Sequence, residues 1–259
     1  MLIETQLSGF NPFLVFLSYV ISVFGAYTAL AFARESLKVS ARERLAWISW
    51  GAVILGSIGV WAMHFVGMMA FDMGMPVNYN LWLTALSMVF VIAGCAVGFA
   101  IVGIGSRGVA GILAGGVVMG CAIGAMHYTG MLAMQMPAEV HWDRNIVVLS
   151  MVIAVVASSA ALWMAFNLEA RWQLIVAALV AGVAVCGMHY TGMFAWSYTM
   201  IGDHEITLPS ALSPIVVGGG LFILSVLVLL LGSALTRTQA TAVAVPGEGS
   251  AGGEYLERA

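Results

Sequence analysis

The sequence predicts an all-α integral membrane protein of seven transmembrane helices, with its N-terminus outside and its C-terminus in the cytoplasm. Three observations predict it. The 259 residues are 62% apolar and only 8% charged, with a mean hydropathy of +1.02, whereas a water-soluble chain carries about 25% charged residues. The apolar residues gather into seven runs, each close to the roughly 20 residues a helix needs to cross a hydrocarbon core. The basic residues fall almost entirely on one side of those runs.

The runs lie near 11–33, 45–69, 81–104, 109–132, 146–168, 172–196 and 214–235. They are long and continuous, where strands of a membrane barrel would alternate over about ten residues. The first has no basic segment before it and no small-residue cleavage site after it, so it reads as a retained helix and not a signal peptide. Arg34, Lys38, Arg42, Arg44, Arg107, Arg171, Arg237 and Arg258 lie on one side and Arg144 on the other. By the positive-inside bias the first group is cytoplasmic. Residues 1–10 are then an outer segment and 11–235 the membrane domain. From 236 to 259 the composition turns polar and Gly-rich, and the stretch reads as a flexible cytoplasmic tail that cannot bury a core. No catalytic output domain is expected in it. The outer loops hold Asp72, Glu139, His141, Asp143, Asp203, His204 and Glu205 and are too short to be domains.

Composition also excludes. A net charge of −3 and a single lysine, Lys38, leave no basic stripe for nucleic acid. Cys95, Cys121 and Cys186 sit in apolar runs without CxxC spacing, and read as small apolar residues, not as a disulfide framework or zinc site. No lysine lies in any run, which removes a retinal Schiff base. No acidic residue lies mid-run, which argues against a carboxylate proton relay. Nothing resembles a nucleophile with its base and orienting group, so no catalytic activity is expected.

The most informative feature is an internal repeat. Met63-His64-Phe65-Val66-Gly67-Met68, Met126-His127-Tyr128-Thr129-Gly130-Met131 and Met188-His189-Tyr190-Thr191-Gly192-Met193 share one pattern. Their histidines are 63 residues apart (127 minus 64) and then 62 (189 minus 127). Each period is one helix out and one back, so the copies fall on helices two, four and six. The domain is therefore three parallel two-helix repeats plus one extra helix, with all three motifs at one depth near the outer face.

Residues four apart share a helical face, so His64 sits over Met68, His127 over Met131 and His189 over Met193, with Met63, Met126 and Met188 about 100° round the helix. Three imidazoles and their thioethers make a mixed nitrogen and sulfur donor set. Such softness favours copper, Cu(I) above all, and neutral imidazole is the form that binds metal. Met73, Met75, Met134 and Met136 continue the thioethers into the outer loops. Gly116, Gly120 and Gly124 on helix four, and Gly94 and Gly98 on helix three, let helices approach closely in lipid. Gly67, Gly130 and Gly192 leave room for a neighbouring helix or an ion. The alternative is that the histidines are structural hydrogen-bonding groups and the methionines packing filler. His141 and His204 read as solvated, and Tyr128 and Tyr190 as members of an interfacial aromatic belt.

The three motifs on alternating helices resemble the bacterial MHYT domain, an integral membrane sensor module, over about residues 11–235. Two copies, Met126 to Thr129 and Met188 to Thr191, match its name in full, while the first reads Met63-His64-Phe65-Val66 and lacks the phenol. The resemblance implies a sensor of oxygen, carbon monoxide, nitric oxide or redox state in the bacterial inner membrane, with copper held by Met and His of the motifs. Many members of that family carry cytoplasmic GGDEF and EAL domains that make and break cyclic di-GMP. A separate cytoplasmic partner is expected to receive the signal here. Copper uptake or delivery, and haem held between two of the histidines, are the other readings the residues leave open.

Overall fold

In the computed structural model, which describes residues 9–168, 170–200 and 211–243, seven helices are long and apolar enough to cross a membrane. The protein is a multi-pass membrane protein. Helix α1 covers Pro12–Glu35, α2 Ala41–Met69, α3 Leu81–Gly105, α4 Val109–Leu132, α5 Arg144–Asn167, α6 Arg171–Phe194 and α7 Pro214–Val243. Five short strands lie between helices at the histidine end: β1 Asn78–Asn80, β2 Met134–Gln135, β3 Ala138–Trp142, β4 Trp196–Met200 and β5 Ala211–Leu212.

Local chemistry starts the helices that begin at the histidine end in the same way three times. Asn11, Asn80 and Asp143 cap α1, α3 and α5, each side-chain oxygen accepting from two backbone N–H groups of the first turn. These are the orphan donors of a helix N-terminus. The backbone N–H of each cap also donates to the last turn of the helix that closes the same hairpin: Asn11 to Ala70, Asn80 to Ala133 and Asp143 to Ala195, at 2.7, 2.8 and 2.8 Å. The residue before each cap pairs antiparallel with the strand or bridge that follows the partner helix: Phe10 with Phe71, Tyr79 with Met134, Trp142 with Trp196. The histidine end is thus laced by one device used three times.

The first six helices pack in a closed ring in chain order, and α2, α4 and α6 also meet one another. In every hairpin the second helix is the more buried. Small residues set the spacing. A Cβ on Gly25 of α1 would strike the backbone of Gly59 on α2, and Cβ atoms on Gly116, Gly120 and Gly124 would meet Ser159, Val155 and Met151 of α5. The GxxxG steps of α4 therefore face α5 as close-approach surfaces. Helix α7 lies outside the ring, where Val228 joins Phe32, Ile54 and Ile58.

The basic residues Arg34, Lys38, Arg42, Arg44, Arg107 and Arg171 all fall at the end opposite the histidines. Three findings go beyond the sequence reading. The connections at the histidine end form two small antiparallel sheets, β2-β1-β5 and β3-β4. Helix α7 continues to Val243, eight residues into the stretch read as tail. Inside α2 the turns from Leu55 to Ala62 are π-helical and end directly before Met63, a wide-turn geometry that concentrates at functional sites. His204, Asp203, Glu205, residues 1–8 and the tail beyond Val243 lie outside the described residues.

Candidate metal centre

Each motif histidine sits five residues before the last residue of its helix, His64 on α2, His127 on α4 and His189 on α6. Equal depth and a common inward face bring the three side chains together, each only 1% exposed. Their Nδ1 atoms form a triangle: His64 to His189 3.0 Å, His64 to His127 3.1 Å and His127 to His189 3.3 Å. The rings stand nearly perpendicular in pairs, with centroids 5.0, 5.0 and 5.2 Å apart. Among the described residues this is the one cluster of three or more His, Cys, Asp or Glu with metal-ligand spacing.

The other ring edge explains the motif glycine. His64 Nε2 occupies the place a Cβ on Gly130 would take, His127 Nε2 that of Gly192, and His189 Nε2 that of Gly67. The histidine of each helix thus lies across the glycine of the next, α2 on α4, α4 on α6 and α6 on α2. Sequence reasoning left that space for a helix or an ion. A neighbouring imidazole fills it.

Hydrogen bonding alone cannot satisfy this triangle. Each Nδ1 carries either a proton or a free lone pair, so of three mutually adjacent Nδ1 atoms at least two share a role and repel. The three buried Nε2 atoms make no hydrogen bond either. Buried polar groups left in this state are rare and call for a functional cause. One cation held by His64, His127 and His189 would accept all three lone pairs at once. The point equidistant from the three nitrogens lies about 1.8 Å from each, slightly inside the about 2.0–2.1 Å of metal–imidazole bonds. The donor set fits a metal ion.

A small cavity of about 10 Å³ adjoins the triad, lined by the three histidines, by Met63, Met126 and Met188, and by Val60, Ile123 and Val185. The methionine preceding each histidine therefore shares its pocket. Met68, Met131 and Met193 are buried as well but lie one turn nearer the helix end and do not line that cavity. Helical side chains lean toward the N-terminus, so the histidine rings cover the turn that holds the earlier methionine. Of the loop methionines, Met73, Met134 and Met136 are buried in the connections at the histidine end.

The motif tyrosines do more than sit at an interface. Tyr190 exchanges a 3.0 Å hydrogen bond with Ser18 of α1, and Tyr128 bonds Ser150 of α5. Ser18, Ser87 and Ser150 each stand seven residues after the cap of their helix, a signal that was legible in the sequence. In the first repeat Phe65 offers no hydroxyl, and Trp61 Nε1 donates to Ser87 at 2.9 Å instead. The serine is thereby occupied and Phe65 is fully buried. Phe65→Tyr, which restores the motif, is therefore expected to lower stability by about 1–3 kcal/mol through an unpartnered hydroxyl. Tyr128→Phe should cost about 1 kcal/mol. Thermal unfolding in detergent measures both, and a stabilised Phe65→Tyr would contradict the serine assignment.

Outside the spans, Tyr79 of β1 packs edge-on to Phe65 with centroids 5.6 Å apart. Its burial pushes the phenol up to about 12. His141 is exposed on β3, beside Thr199. Cys95, Cys121 and Cys186 are free thiols.

Fold and site together define a seven-helix membrane protein built from repeated hairpins around a buried three-histidine centre. Residues 58–116 and 120–178 match successive copies of MHYT, the bacterial signalling protein N-terminal repeat. The chain belongs to the MHYT family. It is 40% identical over 199 residues to the bifunctional diguanylate cyclase/cyclic di-GMP phosphodiesterase MucR of Pseudomonas aeruginosa, covering 75% of this chain and 29% of that protein. It is 32% identical over 196 residues to the signaling protein YkoW of Bacillus subtilis (73% and 24%). It is 33% identical over 192 residues to the cyclic di-GMP phosphodiesterase NbdA of Pseudomonas aeruginosa (72% and 24%). The chain thus spans less than a third of the length of these relatives. No solved structure matches it.

Proposed function

We propose that this domain is the sensing part of a signalling system, holding one copper ion near the outer face and reporting oxygen, carbon monoxide, nitric oxide or redox state to a cytoplasmic signalling module. The observation that carries the reading is the meeting of three Nδ1 atoms, 3.0–3.3 Å apart, from three different helices. His64, His127 and His189 would hold the ion, with thioethers of Met63, Met126 and Met188 nearest and those of Met68, Met131 and Met193 one turn outward. Soft thioether and imidazole donors suit copper. When bound, copper supplies one-electron chemistry and affinity for diatomic ligands.

The chain's own residues supply the coupling. Because the ligands come from α2, α4 and α6, any change in their preferred separation moves those helices against one another. The π-helical turns of α2 directly precede Met63 and are a place where such a shift is absorbed without breaking the helix. A switch requires two states that bind the stimulus differently. The names of MucR and NbdA point to cyclic di-GMP enzymes as the kind of partner served. On this reading the membrane domain itself catalyses nothing, lies in the bacterial inner membrane, and has its N-terminus outside and its basic end in the cytoplasm, which reporter fusions at each loop test.

Metal content and spectra of detergent-purified protein test the core of the reading. About one copper per chain is expected in the wild type, with loss in each of His64→Ala, His127→Ala and His189→Ala. Unchanged metal in all three ends the ligand assignment. Copper uptake is the second reading, motivated by the outer methionines, and movement of copper across proteoliposomes would select it. Haem is less well supported, because the cavity at the triad is only about 10 Å³ and ring centroids near 5 Å leave no width for a macrocycle.

A further inference from the structure

A second, larger cavity of about 40 Å³ lies among α2, α4, α5 and α6, on the side of the triad toward the basic end. Its walls include Ala157 and Ala161 of α5, Ala181 and Ala184 of α6, and the side chains of Met119 and Met188. It shares Val60, Ile123, Val185 and Met188 with the small cavity beneath the histidines. Ala157, Ala161 and Ala184 are half-buried, next to Val156, Ala160 and Val183 on the exposed surface of the two helices. Small side chains therefore line the α5–α6 side of the cavity, and Val60, Ile123, Val185 and Met188 stand between the cavity and the triad.

The lining carries one polar side chain. Ser158 is 2% exposed, and its Oγ has no hydrogen-bond partner. Water is a poor occupant, because an ordered buried water needs two to four polar partners and this space offers one. Apolar cavities of this kind stay dry and take up small apolar guests such as xenon. The volume corresponds to about three water-sized spheres, which suits a diatomic molecule.

We propose that this cavity is a docking site for a small neutral gas of the dioxygen class, loaded from the lipid core through the alanine seam between α5 and α6 and opening toward the three histidines. Such gases concentrate in hydrocarbon, so a side entrance from lipid serves them better than a polar route through the outer cap. The single hydroxyl of Ser158 is available to a weakly polar guest without demanding one. The site deepens the sensing role proposed above by giving the stimulus a waiting place beside the centre. Its existence does not require the metal.

Xenon is the probe. With methionine methyl groups labelled by carbon-13, xenon pressure on the detergent-solubilised full chain should shift the Met119 and Met188 signals saturably, about threefold or more beyond Met69, which packs against Gly218 of α7. Ala157→Phe should abolish the saturable shift, and Ala184→Leu provides a second plug should the first fail to fold. Copper content in both plugged variants should stay at the wild-type level. His64→Ala should keep the xenon shift while losing copper, and a wild type that takes up xenon but holds no copper overturns only the sensing reading. Equal shifts at every methionine, or a shift untouched by either plug, would overturn the gas site. So would a water exchange signal at Ser158 under xenon-free conditions.

Discussion

Gly130→Ala is expected to lower copper affinity about 100-fold or more while leaving the seven helices assembled. The reason lies in a single missing carbon. A Cβ at position 130 would overlap His64 Nε2 and stand 3.0 and 3.3 Å from its Cδ2 and Cε1. The ring cannot yield toward the centre, where the other two Nδ1 atoms already lie 3.0 and 3.1 Å away. It must therefore swing or withdraw, and ligand sets tolerate displacement of only about 0.5 Å before function suffers. A loss of about 2.7 kcal/mol corresponds to a 100-fold fall in affinity, within the about 1–3 kcal/mol that overpacking a tight interior costs. The backbone should not object, since alanine favours a helix over glycine by about 1 kcal/mol.

The same outcome is expected for Gly67→Ala through His189 and for Gly192→Ala through His127, because the three contacts repeat around the ring. Gly187→Ala is the control, as a Cβ there meets nothing within 4 Å. Competition titrations against a copper chelator, with circular dichroism to confirm helicity, measure the effect. Wild-type affinity in all three motif variants would mean that the histidines do not ligate through Nδ1 in this arrangement.

How much of this was legible depends on the range of the cause. The seven spans and the shared depth of His64, His127 and His189 follow from run length and from an even number of crossings, both written locally in the chain. The role of Gly67, Gly130 and Gly192 was half visible: a gap could be read, but its occupant comes from a different helix and only the ring order reveals it. The methionines separated for a similar reason. Four-residue spacing paired His64 with Met68, yet the lean of helical side chains puts Met63 in the shared cavity and Met68 above it. The π turns in α2 leave no mark on an apolar run in which every face is buried. The cap and serine spacing, Asn11 to Ser18, Asn80 to Ser87 and Asp143 to Ser150, was present but weak. It links residues of ordinary type, and its meaning lies in tyrosines and a tryptophan on other helices.

Copper loading should raise thermal stability, and any one of the three histidine-to-alanine substitutions should abolish that rise. A ligand that binds only the folded chain stabilises it by about 2.7 kcal/mol at a hundredfold excess over its dissociation constant. For a chain of this size that is a shift of about 5–10 °C. The metal-free triangle behaves differently. At least two of its three Nδ1 atoms must share one role, both protonated or both bare, so the triad holds an unresolved repulsion until a cation arrives. In His127→Ala the remaining pair, His64 and His189 at 3.0 Å, can settle into one donor and one acceptor. That relief offsets part of the cavity left by the ring, and the variant should unfold near the metal-free wild type and well below the loaded one. A purely structural hydrogen-bonded cluster predicts the reverse: copper would change nothing, and each histidine removed would lower the metal-free transition by the full cost of a broken buried network. Thermal unfolding of wild type and His127→Ala, each with and without copper, separates the two, and a metal-independent transition in the wild type would dismiss the metal centre.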